Sequence, residues 1–105
     1  MKVTNITRLI DPNPFRTHLI IQNLTDENLY IREIESSDIT DYTENGIILK
    51  INGIFEDYGR YKGAMYGYAA NECDVRVIDL SEVTMYGYAA NKHDVRVIDL
   101  SKVMI

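Results

Sequence analysis

The sequence has no tryptophan, one cysteine and two prolines in 105 residues, and it contains no long apolar run. The single cysteine, Cys73, excludes an internal disulfide framework and agrees with a reducing compartment. The first residues lack the apolar core of a signal peptide, and no stretch approaches the about 20 apolar residues of a membrane-spanning helix. We therefore expect a protein that is made and kept in a cytoplasm, or in an assembly formed there, without a membrane partner.

Basic residues are also scarce. Eleven Lys and Arg face 16 Asp and Glu, and the net charge is -5. Without a basic patch to meet a phosphate backbone, nucleic acid is not an expected partner. Hydrophobic residues make up 46% and charged residues 26% of the chain, which is ordinary globular composition. A chain of this length fits one domain, predicted here over residues 1–105.

Short apolar segments bounded by turn residues recur along the chain. They lie at residues 18–24, 28–34, 46–51, 53–58, 64–70 and 74–80. This spacing is typical of a sandwich or a barrel. In "GIILKI", Ile47, Leu49 and Ile51 share one face, so the period is close to that of a half-buried strand. The pattern predicts an all-β fold, either a sandwich or a barrel. The form we expect is a small antiparallel β-sandwich, jelly-roll-like or immunoglobulin-like.

The connections predict several turns. Asn52 and Gly53 lie between two apolar segments and favour a tight hairpin with a type I′ turn. Residues 25–28 are expected to turn the chain between two other strands. Residues 36–45, "SSDITDYTEN", are polar enough for a surface loop, within which a short strand around Ile39 is an alternative. No segment sustains a helical period for three turns.

The C-terminal part of the chain is a near-duplication. "MYGYAANECDVRVIDLSEVT", residues 65–84 or copy one, is followed directly by "MYGYAANKHDVRVIDLSKVM", residues 85–104 or copy two. Sixteen of 20 positions are identical. The differences are Glu72/Lys92, Cys73/His93, Glu82/Lys102 and Thr84/Met104, which give copy one a net charge of -3 and copy two a net charge of +1.

Each copy predicts one hairpin, with a tyrosine-bearing strand, a turn at Asn-x-x-Asp and a β-branched strand. A bulge near Ile78, or burial on both faces, would reconcile the broken alternation of the second strand. A solenoid is disfavoured because stacked repeats usually need three or more units. Either copy fits the same position in the sheet, and the other must be covered or paired, beside copy one or at a neighbouring subunit's edge. The duplication therefore favours an assembly role.

No set of residues indicates catalysis, a cofactor or a metal. His18 and His93 are the only imidazoles, and no nucleophile elbow, phosphate loop or metal-binding helix is present. Cys73 and His93 occupy equivalent positions of the two copies, but two ligands make only half of a zinc or copper site. One further group of acidic residues could form a calcium site, but a solvated polar loop is the better explanation. Its members are Asp38, Asp41, Glu44, Glu56 and Asp57.

Tyrosines supply the candidate binding surface. The segment "YGRYKGAMYGY" combines aromatic rings with basic side chains, which suit a protein interface or a sugar platform. A solvated sheet face covered by tyrosines is the structural alternative, compatible with a subunit interface. The predicted partner-binding residues are Tyr58, Arg60, Tyr61, Tyr66, Tyr68, Tyr86 and Tyr88.

Three stretches, "RTHLIIQNLTDENLYI", "TENGIILKINGIFE" and "YAANECDVRVIDL", resemble a small all-β domain found in structural proteins of tailed bacteriophages. The resemblance covers residues 3–83, whereas residues 85–105 depart from it. It implies a β-sandwich present in multiple copies on the virion, as a head decoration or auxiliary protein or as part of a fibre or tail.

The expected function is that of a non-enzymatic, homo-oligomeric virion protein that stabilises the particle through contacts with itself and other virion proteins. The alternative is a carbohydrate-binding or receptor-binding module that binds cell-surface glycan through the Tyr58–Tyr68 surface. A hydrolase that acts on cell-wall polymer through paired carboxylates is a third, weaker hypothesis. The sequence leaves open which copy completes the sheet.

Overall fold

The computed structural model describes residues 1–81, so copy two, with Tyr86 and Tyr88, lies outside the described residues. Strands make up 56% of the described part, which confirms the all-β class. The elements follow in the order β1 Lys2–Ile10, β2 Arg16–Asn23, β3 Leu29–Arg32, α1 Ile39–Asn45, β4 Ile47–Leu49, β5 Ile54–Asp57 and β6 Met65–Ser81.

The long strand β6 organises the sheet. It pairs in antiparallel fashion with β1 from Met65 to Asp74, with β3 over Tyr66–Tyr68 and with β2 over Val75–Ser81. β4 pairs with β3 and β5 pairs with β2, which gives the order β4-β3-β6-β2-β5 with β1 beside β6. This antiparallel sheet closes nearly into a barrel. The predicted jelly-roll-like or immunoglobulin-like sandwich is not confirmed.

Arg16 ties the two ends of β6 together. Its Nε donates to Oδ1 of Asp79, near the end of the strand, at 2.8 Å. Its Nη1 donates to the carbonyl oxygens of Tyr61 and Gly63, just before the strand begins, both at 3.0 Å. Its Nη2 donates to the carbonyl oxygen of Asp11, just after β1, at 2.8 Å. Because the Arg16 side chain is 0% exposed, these bonds offset the loss of its hydration.

The concave face of the sheet encloses the main core. Alternating residues of the neighbouring strands β2 and β6 lie side by side there, as the register pairs Ile21 with Val77 and Asn23 with Val75 show. The buried Asn23 amide donates to the carbonyl oxygens of Glu27 and Leu49, so its polar atoms are satisfied. The buried apolar members are Val3, Leu9, Ile10, Leu19, Ile21, Leu29, Ile31, Leu49, Met65, Ala69, Cys73 and Val75.

The hairpin predicted within copy one is wrong, because β6 runs through residues 71–74 without a turn. The register with β1 shifts between Val3, which is opposite Cys73, and Asn5, which is opposite Ala69. The residues between these two pairings form a bulge, which bends a strand without ending it. Asn5, at φ 58°, adopts the left-handed conformation that asparagine tolerates. The turn-like residues of copy one are therefore used to bend a continuous strand.

The Asn52–Gly53 turn exists, but the predicted hairpin around it is wrong. The Gly53 amide donates to the carbonyl oxygen of Lys50 at 2.7 Å, and Asn52 has φ 63°. Positive φ at the third residue alone is the pattern of a type II turn, whereas type I′ needs it at both central residues. β4 and β5 then diverge to pair with β3 and β2 rather than with each other. Asn23 holds the turn through backbone hydrogen bonds with Asn52 and Gly53.

The predicted loop at residues 36–45, with its alternative strand around Ile39, is wrong, because this segment contains helix α1. The helix has only seven residues, so it was too short to show a sustained period. Asp38 caps it by accepting from the Thr40 amide at 3.0 Å. The expected connection at residues 25–28 does join β2 to β3, although these two strands both pair with β6 rather than with each other.

Candidate functional site

The predicted tyrosines do not form one exposed surface. Tyr66 is buried and Tyr68 is half-buried, because α1 covers them. The ring of the fully buried Tyr42, from α1, lies 6.3 Å from the ring of Tyr68, and Tyr30 of β3 lies 6.1 Å from it on centroid distances. Tilted rings at this separation are favourable packing partners. These tyrosines therefore form a second core cluster beneath the helix.

Arginines surround this second cluster. The guanidinium carbon of Arg8 lies 5.7 Å from the ring centroid of Tyr66, and that of Arg32 lies 5.8 Å from the centroid of Tyr42. Both distances are within the range of a cation–π interaction. The two arginines therefore close the edges of the tyrosine cluster rather than presenting free charges to a partner.

Tyr61 is also engaged within the fold. Its hydroxyl donates to the carbonyl oxygen of Ala64 at 2.6 Å, and its own carbonyl oxygen accepts from Arg16. Its ring packs against the main core. Burial raises the pKa of the Tyr61 phenol. Its position beside the start of β6 makes it part of the barrel closure.

Tyr58 and Arg60 are the predicted site residues that remain exposed within the described chain. The Tyr58 side chain is 69% exposed and stacks on His18 with a centroid distance of 4.7 Å. His18 Nε2 is 2.7 Å from Oε2 of Glu56. A hydrogen bond from the Tyr58 hydroxyl to the Glu56 carboxylate raises the pKa of the Tyr58 phenol. This group presents one aromatic ring, whereas a sugar platform usually needs more contact area. Tyr86 and Tyr88 lie outside the described residues.

The acidic residues weighed for calcium have separate partners. Asp38 caps α1, and its pKa is lowered by the hydroxyl and amide of Thr40. Asp57 accepts from the amides of Gly59 and Tyr61 in a turn. Within residues 1–81, no three His, Cys, Asp or Glu side chains are placed to hold a metal ion. The companion hypothesis, a site between Cys73 and His93, involves a residue outside this range.

Cys73 is a buried core thiol. Its side chain is 0% exposed, and its Sγ donates to Oδ1 of Asn23 at 3.1 Å. The Thr25 hydroxyl donates to this sulfur, also at 3.1 Å. Burial raises the pKa of the Cys73 thiol, which opposes formation of the reactive thiolate. In copy two the same position is occupied by the larger imidazole of His93.

The edge formed by β4, the turn and β5 is the most unusual surface of the described chain. We call it the isoleucine edge. Among residues 1–81, each of these strands has one pairing partner, so backbone groups on their other sides are open. Four isoleucines along this edge are between 46% and 55% exposed: Ile47, Ile48, Ile51 and Ile54. An edge strand with exposed apolar side chains is a template for pairing with another chain.

A groove opens beside the isoleucine edge. It has a volume of about 220 Å³ and spans from β4 to β5 across the concave side of the sheet. Its polar lining consists of Arg32, Glu33 and Asn45. Its apolar lining consists of Ile31, Ile34, Ile47, Phe55 and Met65. The groove can accept apolar side chains from a strand added at this edge.

The chain around the edge is strongly acidic. Residues 33–57, which include α1, β4 and β5, contain seven acidic residues and one basic residue, Lys50. This segment alone therefore carries more negative charge than the whole chain does on balance. A partner that pairs with the edge gains from positive charge, which steers its approach and disfavours acidic competitors.

No family model, curated protein or solved structure matches the chain. Nor does any helix in the described part have the length and apolarity to span a membrane.

Sequence reasoning placed the candidate surface on the tyrosines and missed the isoleucine edge. The signal was present in "GIILKINGIFE", where apolar residues occur on both faces of short strands. Because the Asn52–Gly53 pair indicated a hairpin, β4 and β5 were expected to pair with each other, which would have hidden the edge.

Proposed function

We propose that the protein is a non-enzymatic assembly protein that forms homo-oligomers through the isoleucine edge. The observation that carries this proposal is the exposure of four isoleucines on two strands whose outer backbone groups have no partner within residues 1–81. Pairing of such an edge buries apolar surface and forms ladder hydrogen bonds at the same time.

The setting we propose is a viral particle. The support for it is the resemblance of residues 3–83 to an all-β domain of tailed-phage structural proteins. Under this proposal the protein is a decoration, auxiliary, fibre or tail component, bound to itself and to other virion proteins. Under the same proposal, the complete chain forms a jelly-roll-like or immunoglobulin-like sandwich that includes the duplicated C-terminal segment.

The mass of the full chain tests the self-association. We expect the wild-type chain to sediment as an oligomer whose mass rises with concentration. The double variant Ile48→Lys and Ile54→Lys places charges on the edge and is expected to remain monomeric, because both side chains are already about half exposed and their replacement leaves the core intact.

The matched control is Phe15→Lys, which removes an exposed apolar side chain from the loop before β2. It should assemble like the wild type. A wild-type chain that stays monomeric at high concentration, and that does not bind emptied heads or tails of the virus that encodes it, would remove the proposal.

A second candidate function is glycan binding at Tyr58. The exposed ring of Tyr58, held by its stack on His18 and flanked by Arg60, favours it. Tyr61 and Tyr66 are engaged inside the fold, so the informative variant is Tyr58→Ala. Binding to a glycan array that is lost in this variant would support the candidate, and an array without signal for the wild type would eliminate it.

A further inference from the structure

We propose that copy two of one molecule docks as an added strand on the isoleucine edge of a second molecule. This inference rests on the proposed self-association and names the segment that occupies the edge. It also assigns a role to the duplication, because a near-identical second strand becomes the connector between molecules.

The described sheet already contains its central strand. Copy one forms β6 up to Ser81 and pairs with β1, β2 and β3, so the central position of the described sheet is filled by copy one. Three residues, 82–84, separate Ser81 from copy two. The chain beyond β6 is therefore long enough to supply a whole additional strand.

Copy two has the same sequence as a segment of copy one that pairs as a strand. "DVRVIDL" at residues 94–100 is identical to residues 74–80, of which residues 75–80 pair with β2 in regular register from Asn23 to His18. Strand addition uses such backbone pairing for affinity, and pockets for side chains give specificity. Val95 and Val97 share one face of such a strand and supply apolar side chains for the apolar part of the groove, which is lined by Ile31, Ile34, Ile47, Phe55 and Met65.

Charge distinguishes copy two from copy one as the occupant. Residues 33–57 are acidic, and copy two has a net charge of +1, whereas copy one has -3. Lys92 and Lys102 make the whole of this difference, since they replace Glu72 and Glu82. Opposite charge favours copy two at this edge, and like charge disfavours copy one.

The chain provides its own matched probes. Two synthetic peptides, residues 85–104 and residues 65–84, share 16 of 20 positions and differ mainly in charge. The acceptor is the full chain with Lys92→Glu and Lys102→Glu, so that its own copy two resembles copy one in charge. At low salt, we expect the 85–104 peptide to bind this acceptor at least about tenfold more tightly than the 65–84 peptide does. At high salt, this preference should be smaller. Adding Ile48→Lys and Ile54→Lys to the acceptor should abolish binding.

Sedimentation of the full-length variants provides the second readout. Lys92→Glu with Lys102→Glu should weaken assembly, raising the dissociation constant of the oligomer at least about tenfold. The control, Lys2→Glu with Arg76→Glu, changes the net charge equally at two exposed basic residues outside copy two. It should assemble like the wild type.

The failures are distinguishable. If the wild type assembles through the edge, but the two peptides bind equally or the Lys92 and Lys102 variant assembles normally, this inference is overturned and the proposed function stands. If the wild type is monomeric and the 85–104 peptide binds only to the charge-reversed chain, copy two covers the edge of its own molecule, which overturns the intermolecular proposal and the self-association together.

Discussion

The buried Arg16 side chain connects segments that are far apart in the chain. Its guanidinium contacts Asp79 at one end of β6 and the carbonyl oxygens of Tyr61 and Gly63 at the other. Nη2 of Arg16 also donates to the carbonyl oxygen of Asp11. Removal of the side chain would leave these acceptors buried or half-buried without a donor.

We predict that Arg16→Met lowers the free energy of unfolding by about 3–5 kcal/mol, because it breaks a buried charge network on one side only. Urea denaturation at neutral pH measures the change. The control Arg76→Met removes an exposed arginine from the same strand as Asp79 and should change stability by about 0.5 kcal/mol or less. Equal effects of the two substitutions would show that Arg16 does not close the barrel.

We predict that the buried thiol of Cys73 makes the protein less stable at alkaline pH. Burial raises the pKa of its thiol in the folded state. The resulting stabilisation is fully present below the pKa of the unfolded thiol, about 8.5, and is lost as the pH rises through the folded pKa. Between about pH 7 and pH 10, the wild type should therefore lose more stability than Cys73→Ala does. Parallel urea titrations at the two pH values test this, and identical losses would contradict it.

At the scale of elements, α1 is short but has a defined role. Tyr42 is its buried residue and covers Tyr66 and Tyr68 on the outer face of the sheet. The helix has few internal hydrogen bonds, so its N-cap contributes a large share of its local stability. Asp38 supplies that cap through Oδ1, which accepts from the amide and the hydroxyl of Thr40.

We predict that Asp38→Ala lowers the melting temperature, because it removes the N-cap of α1. Since the Thr40 contacts lower the pKa of Asp38, its stabilisation is present above the pKa of the unfolded carboxyl, about 3.9, and is lost as the pH falls through the folded pKa. Thermal melts at neutral pH measure the effect. Ser37→Ala, at the exposed neighbouring position, is the control, and an equal shift there would argue against capping.

The sequence carried the strand content but not the pairing. Alternation around Ile47 to Ile51 located β4, and the Asn52–Gly53 pair located the turn. Which strands meet could not be predicted, because β4 and β5 pair with distant partners across the curled sheet. β1 was not predicted, since a bulge at Asn5 interrupts its alternation, and α1 was missed because two turns are too short for a periodic signal.

The tyrosines of β6 show the same limit for the candidate site. Their spacing of two residues puts Tyr66 and Tyr68 on one face of the strand, yet spacing does not reveal what covers that face. The answer came from Tyr42, which lies more than 20 residues away in a segment expected to be a loop. The open edge was hidden for a related reason, because its exposure follows from long-range pairing rather than from local sequence.

At the scale of the whole molecule, one chain combines an acidic, apolar edge with a duplicated segment of opposite charge. An edge on one molecule and a strand from the next make a head-to-tail contact, and such contacts close into rings or continue as filaments. Either outcome places several copies side by side, as a particle component requires.

Hydrogen exchange of the backbone amides tests the isoleucine edge most directly. The full chain is compared at a concentration where it is oligomeric and at one where it is monomeric. Amides of β4, the turn and β5 should exchange more slowly in the oligomer, while those of the central part of β6 should not change, because they are paired in both states. Unchanged exchange at residues 47–57, with slowing elsewhere, would contradict the proposal that this edge is the assembly surface.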